Sequence, residues 1–403
     1  LSGVSLYAHI PFCAAKCGYC SFYSLVGDER AEGFAQALLA EIDSVMDALG
    51  LAHFETVYVG GGSPNSLDIR ILEGILSGIA SRSAGPDEFT VELNPEFVTR
   101  DQISMLAASG VSRASLGVQS LSDDALRASG RRADAGETIR AIEALSRHWP
   151  GALSADLIAG LPGQKEGDVA RAAAALVGSG FDHISLYELA VEKGSPLWRV
   201  VAEGSADVPG DDARWALWDE GAEELERRGL GQYEVSNFCA PGRECAHNMR
   251  YWELEPYIGA GPSAVGTIPA DRFGRAPFAE PGAAALRLGH EPSLDAYLGD
   301  PSRYDEREAL DRSTWAKDGL IMGMRLARGI HRGRYEDRFG ANIDRLIGRS
   351  VAAWKGRGML IDDAEGLRLS KEGLRFLNAF LVDCLREIDE TAVGAFGADR
   401  LGR

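Results

Sequence analysis

Ser5-Leu6-Tyr7-Ala8-His9-Ile10 runs directly into Pro11-Phe12-Cys13-Ala14-Ala15-Lys16-Cys17-Gly18-Tyr19-Cys20, so an apolar run of strand length is followed at once by three clustered cysteines. Similar apolar runs recur at Thr56-Val57-Tyr58-Val59-Gly60, 89–93, 114–119, 155–158 and 183–187. Between them, segments 30–49, 66–82, 99–109, 135–148 and 165–179 place apolar residues every three or four positions, the period of a helix with one buried face. Alternating strand and helix predicts an α/β fold with parallel strands, right-handed crossovers and helices on the outside. Six such units fit an open doubly wound sheet or a full or partial barrel.

Five of the six strand candidates carry something chemically unusual on the strand or just past its carboxyl end. The cysteines follow the first, and Gly60-Gly61-Gly62-Ser63-Pro64 follows the second. Glu92 and Asn94, then Gln119, then Asp156 mark the next three. Ligands bind at the carboxyl ends of the strands in barrels and open sheets alike, so these residues are expected to share one mouth.

The alternation fades after about residue 200. Residues 211–228 read as an amphipathic helix, 229–268 as an aromatic and glycine-rich stretch, and 269–292 as a loop or linker rich in Pro, Gly and Ala. Segments 308–328 and 342–357 read as helices, 358–370 as a two-strand hairpin and 371–386 as a last helix, together a small winged-helix-like unit. The expected divisions are 1–205, 206–300 and 301–403.

At 403 residues the chain exceeds one typical domain of roughly 100–150 residues. Its 42 Lys and Arg against 60 Asp and Glu give a net charge of −18, and the basic residues are scattered. Nucleic acid and anionic membrane surfaces are therefore not expected as partners, because both select a basic face. No stretch approaches the roughly 18–20 apolar residues of a transmembrane segment. No targeting pattern opens the chain, which starts at Leu1, and the expected location is cytoplasmic.

Six cysteines are too few for a disulfide scaffold. Cys239 and Cys245 form a loose pair, Cys384 stands alone, and Cys13, Cys17 and Cys20 suggest metal or redox chemistry. One reading is a zinc site completed by His9. The other is a 4Fe-4S cluster, in which three thiolates leave one iron with an open position for a substrate or cosubstrate.

The Cys-x3-Cys-x2-Cys spacing, with Tyr19 just before the third cysteine, resembles the radical S-adenosylmethionine superfamily. The resemblance implies a partial six-unit TIM-like barrel, a 4Fe-4S cluster on Cys13, Cys17 and Cys20, and S-adenosylmethionine on its open iron. It also implies an external electron donor for the cluster. Gly60-Gly61-Gly62-Ser63-Pro64 is similar to the superfamily's glycine element, with Ser63 where the nearest family usually has Thr. Glu92, Gln119, Arg131 and Asp156 follow in the order and near the spacing of the oxygen-independent coproporphyrinogen III oxidase family. The implied cofactor-binding set is thus Tyr7, Tyr19, Gly61, Gly62, Ser63, Glu92, Gln119, Arg131 and Asp156.

Within that family, the oxidase branch continues its motif with x-Cys, whereas Cys20 is followed here by Ser21 and Phe22. Only twelve residues precede Cys13, where the oxidase has a substantial extension. Tyr233-Glu234-Val235-Ser236-Asn237-Phe238 and His247-Asn248-Met249-Arg250-Tyr251-Trp252 resemble elements of the HemW-type haem chaperones. That branch implies haem as ligand, His247 as its contact and acceptor haemoproteins as partners; the oxidase activity is the alternative. Gly259-Ala260-Gly261-Pro262-Ser263-Ala264 departs from the family's Ala-His-Ser continuation.

Overall fold

The computed structural model describes residues 3–395 except Asp28, Ala84, 205–207, Ala276 and Glu365. The six expected strands are Ser5–Ile10, Thr56–Gly61, Glu88–Leu93, Arg113–Gln119, Ala152–Ala159 and His183–Glu188. Each pairs in parallel with the next, in chain order. That order decides the architecture. A doubly wound sheet reverses its strand order and takes helices on both faces. An unreversed order with right-handed crossovers puts every helix on one face and leaves the other face inside a curled wall. Among the described residues the first and sixth strands do not pair with each other, so the wall is a partial barrel.

The strands separate apolar from polar side chains with period two. Leu6, Ala8 and Ile10, then Phe89, Val91 and Leu93, belong to the apolar core under the helices. Thr90, Glu92, Ser115, Asp156 and Ser185 line the interior. A slip of one residue in the third strand would push Glu88 and Glu92 against the helices, so burial on the outer face fixes the register.

The helices Ala31–Leu49, Ile69–Arg82, Arg100–Ala108, Ala135–His148 and Asp168–Gly178 match the expected segments. Their starts are set locally. Asp68 and Thr99 accept hydrogen bonds from the Arg70 and Gln102 N–H groups, and Asp134 with Glu137 makes a reciprocal capping box. Each such cap stabilises its helix by roughly 0.5–2 kcal/mol.

Beyond the six units the wall continues on both sides. Asn237–Cys239 pairs antiparallel with the sixth strand, and Tyr257–Ala260 pairs in parallel with the first. Val265–Pro269, Ala285–Gly289 and Glu306–Leu310 follow as antiparallel neighbours. Two expectations are corrected here. The segment 269–292 contains the strand Ala285–Gly289, and 308–328 opens on strand Glu306–Leu310, with its helix, Arg312–Gly323, starting after the Asp311 cap.

The carboxyl-terminal unit runs helix Arg312–Gly323, strand Ile330–His331, helix Arg332–Phe339, helix Ile343–Gly356, then the hairpin Leu360–Asp362 and Gly366–Leu369. Gly366–Leu369 pairs with both other strands, which is a winged-helix arrangement. The last expected helix is two, Lys371–Arg375 and Leu377–Ala395, broken at Phe376. This unit has its own core around Ile347, Leu367, Phe380 and Cys384.

Candidate functional site

A cavity of about 390 Å³ opens at the carboxyl ends of the strands. Cys13, Cys17, Cys20 and Tyr19 line one side, Gly61, Gly62 and Ser63 a second, and Glu92, Gln119, Arg131 and Asp156 the remainder. Residues spread over 144 positions, from Cys13 to Asp156, meet there because parallel strands in chain order bring all their carboxyl ends to one rim.

Backbone contacts shape the cysteine loop. Phe12–Cys13 pairs with Leu25–Val26, the Gly18 N–H donates to the Ser129 carbonyl at 2.8 Å, and the Cys20 N–H to the Cys17 carbonyl at 3.2 Å. Arg131 Nη1 lies 3.8 Å from Cys17 Sγ. Burial pushes the Cys13 thiol up to about 11, with the neighbouring thiols adding to it, and burial also raises Cys20. A metal centre must therefore displace protons as it loads. No three His, Cys, Asp or Glu side chains converge on one ion-sized position among the described residues. His9 is also committed elsewhere: Nε2 donates to the Tyr23 carbonyl at 2.9 Å, and Nδ1 accepts from the Tyr7 hydroxyl at 3.1 Å. The three thiols with His9 are not arranged around a single zinc ion. All three cysteines line the same cavity, and three thiols are the donor chemistry of a larger cluster, which takes separate thiolates on separate irons.

The glycine turn is required by close approach. A Cβ on Gly62 would lie 2.4 Å from the Phe12 carbonyl oxygen, and Gly61 has φ +108°. The turn lets the Gly61 N–H donate to Glu92 Oε2 at 3.0 Å, while Tyr58 donates to Oε1 at 2.9 Å. Burial, with the nearby Asp156 carboxylate, pushes Glu92 up to about 7. Burial likewise pushes Asp156 up to about 6, opposed by a hydrogen bond from Ser185. Two carboxyls poised near neutrality in one cavity suit a cationic ligand, which would favour their charged forms.

Gln119 ends the fourth strand at φ 64°, in the left-handed region, where the register with the fifth strand shifts. Such conformations cost roughly 1–3 kcal/mol and cluster at binding sites. Arg131 is held by the Gly117 carbonyl and by Asn94 Oδ1 at 3.3 Å, which leaves its buried Nε without a partner. An unpartnered guanidinium N–H on the lining is a place for a ligand carboxylate. The Ser63 hydroxyl turns to Asn65 Oδ1 at 3.3 Å.

The structure does not bring Tyr7 or His247 onto this cavity. Tyr7 lies beneath it, bonded to His9 and 6.1 Å from the Tyr58 ring. His247 is at the opposite end of the barrel interior with no exposed surface. The Thr56 hydroxyl donates to Ser5 Oγ, so it accepts from His247 Nδ1 at 2.7 Å. Nε2 then accepts from the Tyr251 hydroxyl at 2.8 Å. Burial pushes the imidazole down to about 3. In this arrangement neither ring nitrogen is free for a haem iron. The helix Ala246–Trp252 stoppers the barrel floor: Glu88, paired with Arg113 at 2.8 Å, also accepts from Cys245 Sγ and the Ala246 and His247 N–H groups.

Asn94 lines the cavity as its strand-end position predicts, while Tyr187, Glu188 and Glu192 line it without having been assigned to it from sequence. Tyr187 and Glu188 follow the same strand-end rule that found the others, and could have been read from it.

The family profile described as "Radical SAM superfamily" matches residues 7–176, and that described as "HemN C-terminal domain" matches 310–376. The chain is 31% identical to the Bos taurus "Radical S-adenosyl methionine domain-containing protein 1, mitochondrial", over 96% of this chain and 88% of the relative. It is 26% identical to "Heme chaperone HemW" of Bacillus subtilis, over 92% and 96%, and 32% identical to that of Escherichia coli, over 66% and 71%. The solved coproporphyrinogen III oxidase of Escherichia coli shares the fold, with TM-score 0.77 and 18% identity over 95% of this chain and 90% of that one. The chain therefore belongs to the radical SAM superfamily, in the family of the HemW heme chaperones and radical S-adenosyl methionine domain-containing protein 1.

Proposed function

We propose that this protein is a haem chaperone built on a radical S-adenosylmethionine scaffold, which binds haem and passes it to acceptor haemoproteins in the cytoplasm. The observation that carries the reading is the cluster motif itself: Cys20 is followed by Ser21 and Phe22, without the further cysteine that marks the oxidase branch. The kinship with proteins named heme chaperones supports it, and the cysteines, all free, suit a reducing compartment.

In this reading Cys13, Cys17 and Cys20 hold a 4Fe-4S cluster, which when bound supplies an open iron and one-electron chemistry toward S-adenosylmethionine. The chain's own residues do the rest. Arg131 receives the ligand's carboxylate on its free Nε edge, and its Nη1 steadies the Cys17 sulfur. Glu92 and Asp156 face the ligand's cationic and hydroxyl groups, Gly61 and Gly62 bring backbone within reach, and Tyr19 covers the cluster side. Tyr7 acts from beneath by fixing the His9 tautomer, which supports the glycine turn.

The test is anaerobic. Cluster-loaded protein, a reductant and S-adenosylmethionine are incubated with coproporphyrinogen III in one arm, and haem-charged protein with an apo-haemoprotein in the other. Haem appearing in the acceptor with coproporphyrinogen untouched supports the chaperone; accumulation of protoporphyrinogen makes the protein an oxidase.

A further inference from the structure

A second cavity, of about 650 Å³, opens where the end of helix Ala246–Trp252 meets the winged-helix unit. It shares no lining residue with the barrel mouth. Its size falls within the roughly 300–1,000 Å³ of small-molecule sites. Trp252, Leu254, Leu326, Ile330, Tyr335 and Phe339 give it an apolar and aromatic wall.

The rest of the lining carries four arginines against three carboxylates, Glu253, Glu255 and Asp337, a local excess of positive charge in a chain of net charge −18. Arg328, Arg338 and Arg368 are paired with Glu253, Glu255 and Asp363. Arg334, exposed in the first turn of helix Arg332–Phe339, has no side-chain hydrogen bond or ion pair among the described residues. The indole Nε1 of Trp252 is buried and also without a partner, and Arg325 lies 5.7 Å from that ring's centroid. An aromatic wall, an unpaired guanidinium and an unsatisfied indole N–H together suit a flat ligand that carries carboxylates.

We infer that this junction cavity seats a flat dicarboxylate macrocycle, held at its carboxylates by Arg334 and at its face by Trp252 and Phe339. The inference rests on the haem reading above, under which the macrocycle is haem. It also separates the macrocycle from the cluster, since the mouth cavity is the smaller of the two.

His331 lines this cavity but is not poised as an iron ligand. Its Nδ1 accepts the Arg334 N–H at 3.3 Å, so the neutral ring carries its proton on Nε2. Recognition by carboxylates and ring faces, without a strong bond to iron, suits a ligand that is handed on.

The test titrates the full-length, cluster-loaded protein anaerobically with haem, metal-free protoporphyrin and haem dimethyl ester, following the Soret band and tryptophan quenching. Haem and protoporphyrin are expected to bind comparably. Arg334→Glu should weaken both by about ten- to a hundredfold, the size of a lost charge-assisted hydrogen bond. The ester should bind the parent weakly and be indifferent to the substitution. Trp252→Phe keeps an aromatic ring, removes the indole N–H and gives an independent reading, with a smaller loss expected. Haem bound equally by parent and both variants overturns the location and leaves the haem reading standing. Haem bound with protoporphyrin refused reveals an iron ligand and overturns carboxylate recognition. A parent that binds no haem removes the reading and the inference together.

Discussion

His247 Nδ1 and Thr56 Oγ1 lie 2.7 Å apart inside the barrel, which fastens the helix Ala246–Trp252 to the start of the second strand. With Tyr251 on its other nitrogen, the imidazole is a buried structural joint. Removing it leaves the Tyr251 hydroxyl without its acceptor and takes one of two hydrogen bonds from Thr56, which keeps Ser5, in a site that excludes water.

His247→Ala should therefore destabilise the protein by about 2–4 kcal/mol, the sum of unpaired polar groups and a small cavity. Chemical denaturation of parent and variant measures it. A variant as stable as the parent would show that the helix is not held by this joint.

The same burial predicts an acid signature. The folded-state pKa of His247 is about 3, against an ordinary 6.5, so the unfolded chain takes up a proton that the folded chain refuses. Its stability contribution is present above pH 6.5 and is lost as pH falls toward 3, by up to about 1.4 kcal/mol per pH unit. His183, also pushed to about 3 by burial, adds the same sign, while Glu234, raised to about 7, has the opposite one. His247→Gln should remove one proton's worth of the acid slope. An unchanged slope contradicts the burial of a neutral ring.

At the mouth, Gly62→Ala places a Cβ 2.4 Å from the Phe12 carbonyl oxygen, a backbone atom that cannot rotate away. The turn must shift, and S-adenosylmethionine binding should fall at least tenfold by calorimetry, with the iron content retained. Undiminished binding would mean that the turn is not part of the cradle.

Under the proposed ligand set, Cys17→Ala removes one iron's thiolate, and with it the sulfur 3.8 Å from Arg131 Nη1. Reconstitution should give no stable 4Fe-4S cluster by iron analysis and electron paramagnetic resonance. A variant that holds four irons would refute the ligand assignment.

The sequence made the outer face and the mouth legible for the same reason: period-two burial fixes which way each strand faces, and the carboxyl end of a parallel strand is where ligands bind. The strand Glu306–Leu310 was not legible. Its residues Glu306, Arg307, Glu308 and Ala309 are exposed and favour helices, and only pairing with Ala285–Gly289 at the sheet edge makes them a strand. His247 illustrates a different limit. Its motif was readable, but whether the ring meets solvent depends on Thr56, 191 residues away. The junction cavity is made by Trp252 and Arg334 from separate units, and no local pattern signals it.

If the mouth cavity binds S-adenosylmethionine as proposed, Glu92 gives that binding a proton signature. Its carboxyl stands near 7 in the free protein, and the positive ligand favours the carboxylate. Binding of S-adenosylmethionine should release a proton below that pH, so affinity rises toward pH 7 and levels off above it. Asp156, near 6, adds only at lower pH. Glu92→Gln should flatten the profile between pH 6 and 7 in calorimetry across buffers of different ionisation enthalpy; a parent with no proton release contradicts the placement.

Haem transfer is the most direct test of the central claim. Cluster-loaded protein charged with one equivalent of haem is mixed anaerobically with an excess of an apo-haemoprotein, and the acceptor's own Soret band is followed after separation. The account predicts transfer faster than from free haem at the same concentration, with no decarboxylation of coproporphyrinogen III in a parallel incubation. Retained or unbound haem, together with protoporphyrinogen formation, would contradict it.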